Sequence, residues 1–189
     1  MTFTDSTDEG KGPVKPEVEL PDGTREDSLS ERPDSIVKKS TESDLRKARP
    51  IMKIMSRVNV WLFRLSRGRI GARFPGSGAP VGLLEYRGRK SGRRRTMPLV
   101  FGLDGERVIL IASQGGMPRH PIWYHSLIVN PEVTFQTSSG MNTYTVRELH
   151  GEEREEAWKF PLSVHPDFDL YQKRTDRLIP VLLLEPRVE

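Results

Sequence analysis

From residue 44 onward the apolar positions recur in two rhythms. Over 44–67, Ile51, Met55, Val58, Leu62 and Leu65 return at three- and four-residue spacing, the period of one helix face. Met52, Trp61 and Phe63 widen that stripe, while Lys47, Arg49, Lys53, Arg57, Arg64 and Arg67 supply the other side. Pro50 marks a bend or a start, and Gly68 and Gly71 mark the end. The pattern predicts a helix packed on a core. The breadth of the stripe also fits a helix that touches a membrane surface or covers a greasy substrate entrance.

After residue 80 the rhythm shortens to that of strands. Strands are predicted over 81–86, 96–103 and 107–112, with Pro98 marking an edge or a bulge and Asp104-Gly105 a hairpin turn. Ser113-Gln114-Gly115-Gly116 breaks the pattern. A helix over 121–129 follows, closed by Asn130-Pro131, and strands over 133–137 and 143–148 pair around Ser139-Gly140. Two more helices are predicted over 152–160 and 167–175. The nearly continuous apolar run 179–184 predicts a final, central strand. Antiparallel hairpins with inserted helices and a late returning strand give a mainly β, α+β fold, a small barrel or strongly curled sheet, and not alternating β-α units.

Composition divides the chain. Of 189 residues, 35% are hydrophobic and 30% charged, with a net charge of +4. Residues 1–44 hold 12 acidic and 6 basic residues and no aromatic after Phe3, leaving 24 basic and 14 acidic residues for 45–189. The first segment carries too little apolar surface to offset its ordering entropy and is expected to be a disordered acidic tail on one basic domain. There is no cysteine, which excludes disulfides, thiolate nucleophiles and Cys-ligated metals. The N-terminus lacks the basic and apolar regions of a signal peptide, and no apolar run approaches the roughly 20 residues of a membrane span. A cytoplasmic protein is expected.

Arg87-Gly88-Arg89-Lys90-Ser91-Gly92-Arg93-Arg94-Arg95 packs six positive charges into a turn between two strands. Gly88 and Gly92 fit a tight connection because glycine tolerates φ > 0. Such a turn has three readings: a solvated loop, a nucleic-acid contact, or a site for one polyanionic small molecule. The cluster is short and has no interleaved aromatic residues to stack on bases, which weakens the second. The glycines after Ser113 leave backbone N–H groups approachable. Pro121-Ile122-Trp123-Tyr124 opens a helix, whose N-terminus favours anions and whose rings offer flat surfaces. His120, His125, His150 and His165 make no metal pattern, and His120 and His125 read as surface residues. No Ser-His-Asp set or carboxylate pair is visible, which favours redox chemistry carried by a bound cofactor.

Gly88-Arg89-Lys90-Ser91-Gly92, Arg95-Thr96-Met97-Pro98-Leu99 and Asp104-Gly105 are followed in order by Ser113-Gln114-Gly115-Gly116 and His120-Pro121-Ile122-Trp123-Tyr124. Asn130-Pro131 and Tyr171 with Thr175-Asp176-Arg177-Leu178-Ile179-Pro180-Val181 complete the series. Together they resemble the deazaflavin-dependent nitroreductase family of actinobacteria over roughly 51–186. The resemblance implies a split β-barrel shared with FMN-binding pyridoxamine-phosphate oxidases, and coenzyme F420 as cofactor. It implies that Arg89, Lys90, Ser91, Gly92 and Arg95 hold the phosphate and polyglutamate tail. It also implies that Pro98, Ala112, Ser113, Gln114, Gly115, Pro121, Ile122, Trp123 and Tyr124 line the cofactor.

Two departures qualify the match. Gln114 stands where lysine is frequent. The three late-helix tyrosines that surround the substrate in the family's nitroreductase read here His165, Phe168 and Tyr171. These three are expected to bind substrate, with Tyr171 as the catalytic group, and the missing hydroxyl at Phe168 argues against prodrug-type nitroreduction. The expected activity is hydride transfer from reduced F420 to a quinone, activated alkene or nitroaromatic. FMN is the alternative cofactor, and a nucleic-acid or anionic-lipid module is the less favoured function. The expected partner is an apolar or aromatic small molecule, with no nucleic acid, no metal, and peripheral membrane contact through 51–65.

Overall fold

The first helix is set by its cap. In the computed structural model, which describes residues 37–66 and 68–187, α1 spans Glu42–Leu65. The Asp44 N–H donates to the Thr41 hydroxyl at 3.3 Å, and the Thr41 N–H donates to the Asp44 carboxylate at 2.9 Å. This reciprocal pair satisfies two donors a helix start would otherwise leave free. Pro50 lies inside α1 and does not start it. The Ser40 N–H donates to Arg174 O (2.9 Å), Lys39 pairs with Asp176 (2.8 Å), and Leu45 is buried. Contacts with the domain therefore begin ahead of the sequence boundary at residue 44. The remainder of the predicted acidic tail, 1–36, lies outside the described residues.

Six strands, β1 (Val81–Arg87), β2 (Arg94–Asp104), β3 (Arg107–Ile111), β4 (Glu132–Gln136), β5 (Met141–Leu149) and β6 (Val181–Pro186), follow. They close into an antiparallel barrel in the order β1-β2-β3-β6-β5-β4, so the expected α+β barrel is what this chain forms. The apolar run near the C-terminus is central as expected: β6 pairs with β3 through Val108↔Leu184 and with β5 through Val146↔Leu184. Pro98 pairs with Leu83 on one side only, because the pairing of β2 with β3 covers Phe101–Asp104 alone. Its missing N–H faces no partner strand there. Gly82 makes room for a core ring: a Cβ at that position would come within 2.4 Å of Phe135.

Leu84, Tyr86, Phe101, Leu110, Phe135, Val146 and Leu184 fill the barrel interior, joined by Trp123 from α2 (Ile122–Val129). Fully burying one such side chain is worth about 1.5–3 kcal/mol. α3 (Gly151–Val164) covers Ile109, Leu149, Val181 and Leu183 with Ala157. α4 (Asp167–Lys173) contributes Phe168 to a third cluster with Ile111 and Ile179.

The expectation that α1 packs its stripe on the core is overturned. Only Leu45 and Phe63 of α1 are buried. Ile51, Met55, Val58, Trp61 and Leu65 are 60, 61, 50, 62 and 69% exposed. Strand residues and Trp123 fill the barrel interior, and α3 and α4 already cover its outer apolar faces, so most of the α1 stripe meets no core. α1 is held by Leu45 and Phe63 near its two ends and by polar contacts at its edge, the Arg64 guanidinium on Glu85 and Thr96, and the Ser56 hydroxyl on Met97 Sδ (3.7 Å).

Candidate functional site

The basic turn joins β1 to β2. Gly88 N–H donates to Arg93 O (2.9 Å) and Gly92 N–H to Gly88 O (2.8 Å). Gly92 has φ +61°, the left-handed region expected for it. Gly88 does not, and serves a different purpose: a Cβ there would lie 3.0 Å from the Ser91 hydroxyl and 3.1 Å from Arg95 Nε. Arg89, Lys90, Ser91, Gly92 and Arg95 are all exposed. Among the described residues, no carboxylate pairs with Arg87, Arg89, Lys90, Arg93, Arg94 or Arg95, whereas the other strand-borne cations Arg107 and Arg147 each find one. Six unpaired positive charges on one turn repel each other and raise the affinity for a polyanion.

The turn docks on α2. The Arg89 N–H donates to Ser126 Oγ (3.3 Å) and Asn130 Nδ2 to Arg87 O (3.5 Å). The other end of α2 follows directly on the 112–120 loop, so one short helix connects both predicted cofactor segments. Ala112 and Ser113 are buried, and then three successive residues take left-handed backbone: Gln114 (φ 50°), Gly115 (φ 67°) and Gly116 (φ 76°). A non-glycine residue in that region is uncommon and stores strain. A Cβ at Gly115 would meet nothing within 4 Å, so its backbone is open to a ligand, while one at Gly116 would lie 2.5 Å from Tyr171 O. That close packing brings α4 against the loop.

The helix start divides its predicted residues. Pro121 is the N-cap of α2, Ile122 is 65% exposed, and Trp123 belongs to the barrel core. Tyr124 is half-buried and donates its hydroxyl to Glu148 at 2.9 Å. Burial, reinforced by that carboxylate, pushes its phenol up to about 12. Pro98 is half-buried on β2.

The late-helix trio is brought together, with ring centroids 5.0–6.0 Å apart, but two of its members are buried. Phe168 is buried among Ile111 and Ile179, so the expectation that its ring faces an acceptor is corrected: it packs the core. His165 is also buried, with Nδ1 3.0 Å from the Ser77 hydroxyl and Nε2 3.3 Å from the Tyr171 hydroxyl. Burial lowers its pKa, so it sits neutral. Tyr171 is the half-buried member, and burial raises its phenol pKa.

Sequence reading missed the polar scaffold behind the loop. Arg177 donates to Met117 O (2.9 Å), Ala112 O (3.1 Å), Ser113 O (2.7 Å) and His120 Nδ1 (3.0 Å). His120 and His125, read as surface residues, are half-buried and pack against Tyr124 with ring centroids 4.9 and 5.2 Å away, the first tilted and the second edge-on. The one available signal was the position of Arg177 within the Thr175–Val181 motif, directly ahead of the apolar run into β6. A surface depression lies elsewhere, among Gly68, Arg69, Gly71, Ala72, Arg73, Pro80 and Ser138. It stands at the opposite end of β1 from the basic turn, roughly 20 Å away along the strand, and holds no predicted site residue.

Comparison with known proteins agrees with this arrangement. Residues 55–186 match the model of the family described as F420H(2)-dependent quinone reductase. The chain is 35% identical over 129 residues to an F420H(2)-dependent quinone reductase of Mycobacterium tuberculosis, covering 67% of this chain and 86% of that protein. A solved structure of an F420-H2 dependent reductase is 41% identical, with a TM-score of 0.53 over 56% of this chain and 94% of that one. A second solved structure, described only as a domain-swapped dimer, has the same identity and TM-score and is covered over 80% of its length. The match takes in the barrel, the basic turn, the glycine loop and α2, and this chain belongs to the F420H(2)-dependent quinone reductase family.

Proposed function

We propose that this protein binds reduced coenzyme F420 and uses it to reduce a quinone. The observation that carries the reading is the row of six cations at 87–95 with no carboxylate partner among the described residues, docked through Arg89 onto the helix that follows the glycine loop. A phosphate with a polyglutamate tail answers that density of charge; a single phosphate, as in FMN, needs less of it. The open backbone at Gly115 and the half-buried Tyr124 fit a flat ring laid over the loop and the start of α2.

Bound reduced F420 supplies the hydride, from its C5 carbon. The chain's residues bind, orient and exclude water. Arg89, Lys90, Ser91, Gly92 and Arg95 hold the anionic end. Gln114 and Gly115 form the wall against the ring system and Tyr124 its floor, with the buried Ala112, Ser113 and Pro121 supporting them from behind. Tyr171 keeps its proton at neutral pH, because burial raises its pKa, and we assign it to orient the acceptor or to return a proton to the reduced oxygen. A screen of F420H2 oxidation against quinones, enones and nitroaromatics tests the reading. Turnover is expected with quinones foremost, and no oxidation with any acceptor overturns it.

A second reading concerns where this happens. The exposed stripe Ile51, Met55, Val58, Trp61 and Leu65, flanked by Lys53, Arg57 and Arg64, favours peripheral contact with an anionic membrane surface, where quinones reside. No helix among the described residues is long and apolar enough to cross a membrane.

A further inference from the structure

His120 is held in a way that a packing role does not require. The Arg177 guanidinium is half-buried and, among the described residues, has no carboxylate partner. Its donors go to Ala112 O, Ser113 O, Met117 O and His120 Nδ1, all within the loop. Burial brings its pKa down to about 10, so it remains charged at neutral pH. A guanidinium only donates. The bond of 3.0 Å therefore requires a lone pair on His120 Nδ1, which puts the ring hydrogen on Nε2.

The surroundings keep that ring neutral. Burial, Arg177 and His125 lower its pKa, and Glu148 opposes them. Glu148 is itself engaged, since its carboxylate accepts the Tyr124 hydroxyl. Tyr124 and His125 face the ring at 4.9 and 5.8 Å. The Nε2–H has no hydrogen-bond partner among the described residues, and it is not one of the enclosed polar atoms left unpaired. It is an accessible donor, fixed in tautomer, one residue before the N-cap of α2, where no side chain caps the helix. The positive end of the helix and the charge of Arg177 both favour an electron-rich partner at this point.

We propose that His120 is a binding residue of the cofactor site, locked by Arg177 with its hydrogen on Nε2 and offering that N–H to an electron-rich oxygen of the bound deazaflavin, a ring carbonyl or the phosphate. The assignment rests on the F420 reading above and gives His120 a role that its place in the sequence motif alone does not.

Nitrogen-15 NMR of the full chain reads the tautomer without cofactor. His120 is expected with a bare Nδ1 and a protonated Nε2, and its Nε2–H resonance is expected to shift on saturation with F420. In fluorescence titrations His120→Phe keeps a ring against Tyr124 and is expected to weaken F420 binding about tenfold, with the melting temperature near that of the wild type. The same loss for a deazaflavin headgroup lacking phosphate and tail identifies a ring carbonyl as the acceptor, and a loss confined to F420 identifies the phosphate. A hydrogen on Nδ1, an Nε2–H resonance unmoved by saturating F420, or unchanged affinity in His120→Phe overturns the proposal. Wild-type protein that shows the Nε2–H tautomer but binds no F420 overturns the cofactor reading instead, and the assignment with it.

Discussion

At the residue scale, charge and burial divide the predicted site. Lys90 and Arg95 are exposed and, among the described residues, unpaired, so each is free to meet an anion. A charge-assisted hydrogen bond contributes about 1.5–3 kcal/mol. Lys90→Ala or Arg95→Ala is therefore expected to weaken F420 at least tenfold in a fluorescence titration, and a cofactor lacking the glutamate tail much less. Equal losses for both forms would place these residues at the phosphate. Phe168 lies on the other side of the division. Its ring is enclosed with Ile111 and Ile179, so Phe168→Tyr buries a hydroxyl, at a cost of about 1–3 kcal/mol if it stays unsatisfied. A melting temperature lower by several degrees with unchanged acceptor preference is expected; faster nitroaromatic reduction at unchanged stability would contradict the burial argument. The sequence made the cations legible because nine consecutive residues carried them. It did not reveal the half-burial of Arg177 and His120, because their contact joins residues 57 apart and neither has a local pattern.

At the element scale, strand periodicity was readable and helix burial was not. Alternation and turn residues placed all six strands to within a few residues, since each hairpin is a local event: β2 and β3 meet across Gly105, with Asp104 paired to Arg107. An amphipathic stripe states only that one face of a helix is apolar. Whether that face meets a core or something outside depends on how full the core already is, and here the closed barrel leaves α1 outside. Ile51→Ser, Met55→Ser and Trp61→Ser together are therefore expected to leave the melting temperature nearly unchanged while weakening association with anionic vesicles in a sedimentation assay. A drop of ten degrees or more would show that the stripe is covered within the protein. The 112–116 segment was legible as a break but not as three consecutive left-handed residues, because Gln114 gives no glycine signal for its own strained backbone.

At the scale of the whole molecule, the acidic first segment and the basic remainder were visible as a charge division, and the barrel followed from the order of hairpins and a late central strand. Three histidines add a pH dependence that the sequence did not show. Burial lowers the pKa of His120, His125 and His165 from an ordinary value near 6.5. Below that value the unfolded chain takes up protons that the folded protein refuses, so stability falls as pH drops from about 6.5 toward the lowered folded values, and is full above it. Urea midpoints between pH 7.5 and 5 are expected to decline mainly below 6.5; a midpoint that rises on acidification would contradict the buried neutral rings. The central claim is that the basic turn, the glycine loop and α2 form one deazaflavin site. Parallel equilibrium titrations of the purified protein with F420 and with FMN, followed by fluorescence, test it most directly. Saturable quenching by F420 that weakens with salt, and little or no binding of FMN, is the predicted result. Tight FMN binding at unit occupancy with no response to F420 would contradict it.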